Sequence, residues 1–237
     1  MTATPSTSLT TATAPTTLAT GSSAPLVVAG LWRYPVKSLA GEPIESALLT
    51  ELGIPGDRIV HVRGPEGVRT SRRQHHLLGL HATLGADGEP RIDGYAWESA
   101  EALEFVRKAA GHDALLAAYD GPERFDVLPL LVATDGAAAS FGRDLRRLRP
   151  NILVGGVEGL AEVDWPGAEL HIGDAVIALD SLRARCPMTT VDPDSLERDP
   201  EVLRDIARRF GGRLALNAAV LRGGEVRIGD RVRLMRP

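Results

Sequence analysis

Apolar and polar positions alternate in short runs along most of this chain. From Leu26 to Tyr34 the residues are β-branched, aromatic or small, and Pro35 closes the run, which predicts a strand. Further strands are predicted at "IESALL", "RIVHVRG" and "GVRTSR", the last two joined through "GPEG", a hairpin signal. The period changes in "WESAEALEFVRKAAG", where Trp97, Ala100, Leu103, Phe105, Val106, Ala109 and Ala110 recur at helical spacing and Gly111 supplies a stop. "LPLLVAT" reads as a buried strand, and "DGAAASFGRDLRRL" after it as a short helix.

The second half returns to strands. "RPNILVGG" is an apolar strand entered through Pro150. "ELHIGDAVIAL" and "EVRIGDRVRL" share a pattern of alternating strand, Ile-Gly-Asp, and second alternating strand. The Gly-Asp pair permits a tight reversal or a sharp corner, so the two copies are expected to make similar bends in one barrel-like sheet. Between them "DSLERDPEVLRDIARRFGG" predicts a helix with Asp194 as its N-cap and Gly211 as its stop. The sum is a β-rich α+β fold with a few covering helices rather than an alternating βαβ chain.

Composition adds bounds. The 237 residues can bury a real core, and the 43% hydrophobic and 24% charged fractions are those of an ordinary globular protein. A net charge of -4 provides no global basic field, which argues against a nucleic-acid partner. No apolar run approaches the ~20 residues of a membrane-spanning helix. Residues 1–25 are rich in Thr, Ala, Ser and Pro and carry no charge, so a disordered tail is expected there. The tail has neither the basic start and apolar core of a secretory signal nor the arginines of a mitochondrial presequence, and a cytoplasmic location is expected.

The single cysteine, Cys186, removes any internal disulfide. A lone cysteine is most often a small buried hydrophobe, but the neighbours here are wrong for a core. Arg183 and Arg185 precede it, Pro187 follows, and Thr189 and Thr190 lead into an Asp-Pro-Asp turn. Guanidinium charge near a thiol favours the thiolate, which is both a nucleophile and a soft metal ligand. None of the six histidines carries a signature of a cysteine hydrolase, and one thiol without partners at ligand spacing does not make a structural zinc site. "QHHLLGLH" has no acidic residue or second cluster to complete a metal site and reads as a polar connection. Lys37 and Lys108 are the only lysines in an arginine-rich chain. On the residues alone Lys37 is an exposed strand end, Arg58 and Arg149 are surface ion-pair partners, and Asp192 and Asp194 are turn and cap residues.

Five stretches in order, "LWRYPVKSL", "GDRIVHV", "RPNILV", "RCPMTTVDPDS" and "IGDRVRL", resemble the ordered signature of MOSC proteins with their N-terminal β-barrel domain. That family takes its name from the C-terminal domain of molybdenum cofactor sulfurase and includes the mitochondrial amidoxime-reducing component. The resemblance runs from about Leu26 to Leu234. It implies a MOSC-type β-barrel over 126–237 packed with an N-terminal β-barrel-like domain over 26–125.

The resemblance also implies a molybdenum cofactor, molybdenum held by the dithiolene of molybdopterin, with Cys186 as the protein's own sulfur on the metal. Cys186 and Asp192 are then the expected catalytic residues, Asp192 by shaping the site. Lys37 and Ser38 match the family's phosphate-binding pair, Arg58, Arg149 and Arg185 match further cofactor contacts, and Asn151 and Asn217 complete the expected set. The chain departs from some relatives at Ala184 and in "FDVLPLLVAT", where a hydroxyl is missing, so Thr70, Ser71 and Arg72 are expected to supply contacts instead. The activity implied is reduction of small N-oxygenated (N-hydroxylated) compounds, with electrons from a separate donor protein because no cysteine-rich ferredoxin-like extension follows Leu234. The alternative is a module that carries cofactor or sulfur, the latter as a persulfide on Cys186. Pyridoxal phosphate, also suggested for the family, is disfavoured because no partner for its pyridine nitrogen is evident.

Overall fold

The computed structural model describes Thr16 and Thr17 and residues 24–119, 121 and 124–236. Most of the tail expected over 1–25 lies outside the described residues; within it, Thr16–Thr17 pairs antiparallel with Arg236 and Met235.

One nine-stranded sheet dominates. Across it the strands run Thr16–Thr17, Val232–Arg236, Glu169–Ile172, Ala175–Ala184, Arg213–Arg222, Leu130–Thr134, Ile152–Gly155, Val27–Arg33 and Glu42–Pro43. All neighbours are antiparallel except Leu130–Thr134 and Ile152–Gly155, which are parallel. A parallel pair needs a crossover, and the short helix α2, Asp135–Phe141, forms it. Gly136 lets that helix sit against the loop after the second strand, since a Cβ there would lie 2.4 Å from the Val157 carbonyl oxygen. The sheet curls until its ends meet: Val28 N donates to Asp230 O at 2.9 Å and Val232 N to Leu26 O at 2.8 Å. Inside the curl lies a core that includes Leu31, Val132, Ile152, Leu170, Ile177 and Leu216.

Three smaller sheets complete the strand-rich α+β fold that the sequence pattern predicts. The hairpin through "GPEG" forms between Val60–Gly64 and Gly67–Arg69, and Leu115–Ala118 joins its free edge. Ser46–Leu49 pairs with Gly224–Arg227, and Ala82–Leu84, Pro90–Ile92 and Tyr95–Ala96 form the third. Helix α1, Ala100–Ala110, starts after Ser99, whose side chain accepts from Ala102 N, and stops at Gly111 as its spacing predicts. Its Ala102, Val106 and Ala110 join Val36, Leu39, Val60 and Val62 in a second core. Strand Val27–Arg33 and residues Leu26, Ala47, Leu49 and Ile54 belong to the first core, so the first half of the chain contributes to both. "QHHLLGLH" contains the 3₁₀ turn His75–Gly79.

Two local expectations need correction. The first Ile-Gly-Asp is a true hairpin, because Glu169–Ile172 and Ala175–Ala184 pair with each other. The second is a corner: Gly224–Arg227 pairs with Ser46–Leu49 in a separate sheet, while Val232–Arg236 returns to the large one. Identical turn residues permit both outcomes, and the partner strand decides. The third helix, α3, is Pro200–Phe210, five residues shorter at its start than an Asp194 cap requires. Pro200 disfavours helical backbone at the residue before it, and Asp199 is extended, with its side chain accepting from Glu201 N. Asp194 instead pairs with Arg146. Gly211 ends the helix in a left-handed conformation, as expected.

The corrected cap predicts different costs at the two aspartates. In urea denaturation Asp199→Ala should lose about 1 kcal/mol, the usual cost of an N-cap, and Asp194→Ala only ~0.3 kcal/mol, as for an exposed ion pair. The reverse ranking would restore the longer helix.

Candidate functional site

The strand Ala175–Ala184 carries Arg183 and delivers Arg185 and Cys186 just past its end. Arg185 is anchored twice, its backbone N donating to Gly212 O at 2.9 Å and its guanidinium to Leu148 O at 2.8 Å. Cys186 is extended, and Pro187–Thr190 then makes a 3₁₀ turn. The two threonines explain themselves locally: Thr189 Oγ1 donates to Cys186 O at 2.9 Å and Thr190 Oγ1 to Pro187 O at 2.7 Å. The turn is also tied from outside by Arg147, which donates to Thr189 O at 3.3 Å and to Asp192 Oδ2 at 2.7 Å. The thiol is therefore half-exposed on a braced loop and is not part of an apolar core.

It opens into a cleft of about 750 Å³, part of it open to solvent, lined from both halves of the chain. Six cations line this cleft: Lys37, Arg58, Arg72, Arg149, Arg183 and Arg185. Among the described residues the only carboxylate that lines it is Asp126. In a chain of net charge -4, such a concentration marks a place for an anionic guest. Among the described residues no group of three or more His, Cys, Asp or Glu side chains is placed to hold a metal ion. A metal brought to Cys186 would need its other ligands from the guest.

Asp126 is the hub. Lys37 Nζ meets its Oδ1 at 2.8 Å, and Arg72 and Arg183 meet its Oδ2 at 2.7 and 3.1 Å. Burial opposes its charge, yet Lys37 above all, with Arg72 and Arg183, holds its pKa below the ordinary carboxylate range. Lys37 Nζ also donates to Arg124 O at 2.7 Å. Arg183 is steadied by Asn217 Oδ1 at 3.2 Å, and Asn217 in turn donates to Ser181 Oγ at 3.1 Å. Burial would lower the pKa of Arg72, but Asp126 and a hydrogen bond to Cys186 raise it.

Behind this hub Tyr34 supports two more cations. Its ring lies 4.2 Å from the Arg149 guanidinium and 5.4 Å from that of Arg58, while its hydroxyl donates to Pro150 O at 3.0 Å. Burial pushes the tyrosine pKa up to about 12, so it stays neutral. Arg58 pairs with the buried Asp57, which also accepts from Tyr34 N. Among the described residues Arg149 and Arg185 make no ion pair, and burial lowers the pKa of each to about 10. Both remain charged at neutral pH, which leaves two desolvated cations facing the cleft without a carboxylate.

The backbone is unusual at the same place. Ser38, Arg58 and Arg149 have φ of 73°, 55° and 57°, the left-handed region that non-glycine residues seldom adopt. Among the described residues six non-glycine ones adopt it, and three of them line the cleft.

Of the residues expected from sequence, the fold brings Lys37, Ser38, Arg58, Thr70, Ser71, Arg72, Arg149, Arg185, Cys186 and Asn217 to this cleft. Ser71 is fully buried, and its hydroxyl donates to Met188 Sδ at 2.7 Å. Asn151 and Asp192 do not line it. Asn151 is fully buried and bridges strands, accepting from Leu131 N at 3.1 Å and donating to Trp32 O at 3.3 Å. Asp192 holds its own turn, accepting from Asp194 N and Ser195 N, both at 3.0 Å. Sequence reasoning missed Asp126 and gave Arg183 no place in the site. The available signal was weak, an acidic residue in "FDVLPLL" and an arginine two residues before another.

The model of the MOSC domain family matches residues 134–233, and that of the MOSC N-terminal beta barrel domain matches residues 26–102. The mitochondrial amidoxime-reducing component 1 of Homo sapiens is 26% identical over 228 residues, a match covering 71% of this chain and 67% of that protein. Over 92 residues the chain is 36% identical to the molybdenum cofactor sulfurase of Anopheles gambiae, 38% of this chain and only 12% of that protein. The crystal structure of the YUAD protein from Bacillus subtilis superimposes with a TM-score of 0.50 at 15% identity, covering 90% of this chain and 96% of that one, which shows a shared fold.

The left-handed residues predict a stability gain on replacement by glycine. Ser38→Gly removes a Cβ that disfavours φ of 73°, and it should stabilise the ligand-free protein by about 0.5–1 kcal/mol in chemical denaturation. A loss of stability would mean that the Ser38 side chain holds the ligand-free fold together.

Proposed function

The chain belongs to the MOSC family, with a MOSC domain preceded by its N-terminal β-barrel domain, and from that premise we propose that it binds the molybdenum cofactor and reduces small N-oxygenated compounds. The observation that carries this reading is the single half-exposed thiol placed in a cleft lined by six cations. The cofactor joins a phosphate monoester to a pterin dithiolene. Its anionic end suits Lys37, Ser38 and the arginines, and its metal lacks one protein sulfur, which Cys186 can give. When bound, molybdenum supplies the two-electron chemistry that takes oxygen from the substrate.

The chain's own residues bind and position. Lys37 is a compact charge beside backbone, suited to a phosphate oxygen, whereas Arg58, Arg72, Arg149 and Arg185 offer broad planar donors. Their charge, together with Arg183, gives Cys186 cationic surroundings. Thr70 lines the cleft, Ser71 holds Met188 at its wall, and Asn217 orients Arg183. Asp192 acts at one remove, through Arg147 and the turn that presents Cys186, and Asn151 fixes the strand entry beside Arg149. Both are positioning residues. Reduction of an N-hydroxyl compound to the amine consumes two electrons and two protons and releases water. Electrons come from a separate donor protein.

A second reading is favoured by the exposure of the thiol and by the similarity to a molybdenum cofactor sulfurase: a module that carries sulfur as a Cys186 persulfide. Expression in a molybdenum-replete host separates the two. The wild-type protein should retain molybdenum and reduce an amidoxime with a chemical electron donor, and Cys186→Ser should lose most of both. Equal, near-zero molybdenum in both proteins would end the enzyme reading, and cyanide-labile sulfur without turnover would establish the carrier.

A further inference from the structure

The contact that organises the cleft also blocks it. Lys37, Arg72 and Arg183 come from segments far apart in the chain, and all three converge on one carboxylate at 2.7 to 3.1 Å. Both Asp126 oxygens are used, so the three cations already surround an oxyanion. A phosphate offers the same donors the same kind of oxygen at the same distances. Asp126 and a phosphate cannot share these cations cheaply, since like charges in contact cost several kcal/mol. The Asp126 side chain is 30% exposed, lies in the connection before strand Leu130–Thr134 and belongs to no core cluster, so it can swing outward without disturbing the core.

We propose that Asp126 is a built-in counter-anion: it fills a phosphate subsite made by Lys37, Arg72 and Arg183 in the ligand-free protein, and the phosphate monoester of the guest displaces it. This rests on the anionic-guest reading of the cleft. The carboxylate keeps three cations assembled while the site is empty, and it sets a threshold that weakly bound anions do not pass. Ser38, Arg58 and Arg149 make no hydrogen bond or ion pair with Asp126 among the described residues, so the guest can still meet them once it displaces the carboxylate.

The test uses the full ligand-free chain and inorganic phosphate. By isothermal titration and by the shift of melting temperature with phosphate, Asp126→Asn should bind on the order of tenfold tighter than wild type. The variant without phosphate should melt lower than wild type, because its cations are then uncompensated. Asp126→Glu, which keeps a carboxylate within reach, should return the affinity towards the wild-type value. Asp126→Ser provides the same comparison should the asparagine variant not fold. Equal or weaker phosphate binding by the neutral variants would overturn the proposal and make Asp126 a fixed part of the site. Absence of phosphate binding in every protein would also overturn it. Pterin carried through purification identifies the source: more pterin per chain in Asp126→Asn assigns the cofactor's phosphate, and unchanged pterin with tighter phosphate assigns free phosphate. Loss of the molybdenum reading would leave the phosphate titration intact, so the two failures are distinguishable.

Discussion

Gathered positive charge is the constraint on which the rest of this structure depends. Two like charges 4 Å apart near a protein surface repel by about 4 kcal/mol, and this chain brings six cations to one cleft with, among the described residues, a single carboxylate. A flexible chain would not hold such an arrangement. Here the charges stand on elements that cannot separate without opening the curled sheet: Arg183 in a central strand, Arg149 beside the strand entry at Asn151, and Lys37 after the strand whose start meets residues 229–232 across the barrel closure. The same constraint accounts for the left-handed residues. Ser38, Arg58 and Arg149 all adopt this disfavoured backbone, and all three line the cleft.

Much of the fold was legible because its signals are local. The alternation in "RIVHVRG" and "GVRTSR", with a tight turn between them, needs no distant partner to form a hairpin, and Ser99 and Gly111 bracket a helix by their own backbone chemistry. The errors fell where a distant partner decides. Both Ile-Gly-Asp turns permit a hairpin, but only the first has its own flanking strands as partners, because Ser46–Leu49 captures Gly224–Arg227. The helix start was misplaced because two aspartates compete for the cap, and Pro200 selects Asp199.

The site divides in the same way. Cys186 stood out because its flanks are wrong for a core, and the turn after it is built from Thr189 and Thr190 as local sequence suggests. Lys37, by contrast, read from residues alone as an exposed strand end; its ion pair with Asp126 spans 89 positions. Asp126 and Arg183 are joined over 57 positions and could not be paired from one sequence. The family resemblance collected most of the cleft residues by position, yet it included Asn151 and Asp192, whose side chains serve strand and turn, and it passed over the carboxylate at the centre.

The central claim is that the Cys186 sulfur completes the coordination of a metal that arrives with its own ligands. X-ray absorption at the molybdenum edge reads this directly, because the sulfur scatterers around the metal can be counted. Molybdenum-loaded wild-type protein should show one more sulfur neighbour than Cys186→Ser loaded with the same cofactor. The same sulfur count in both would contradict the account.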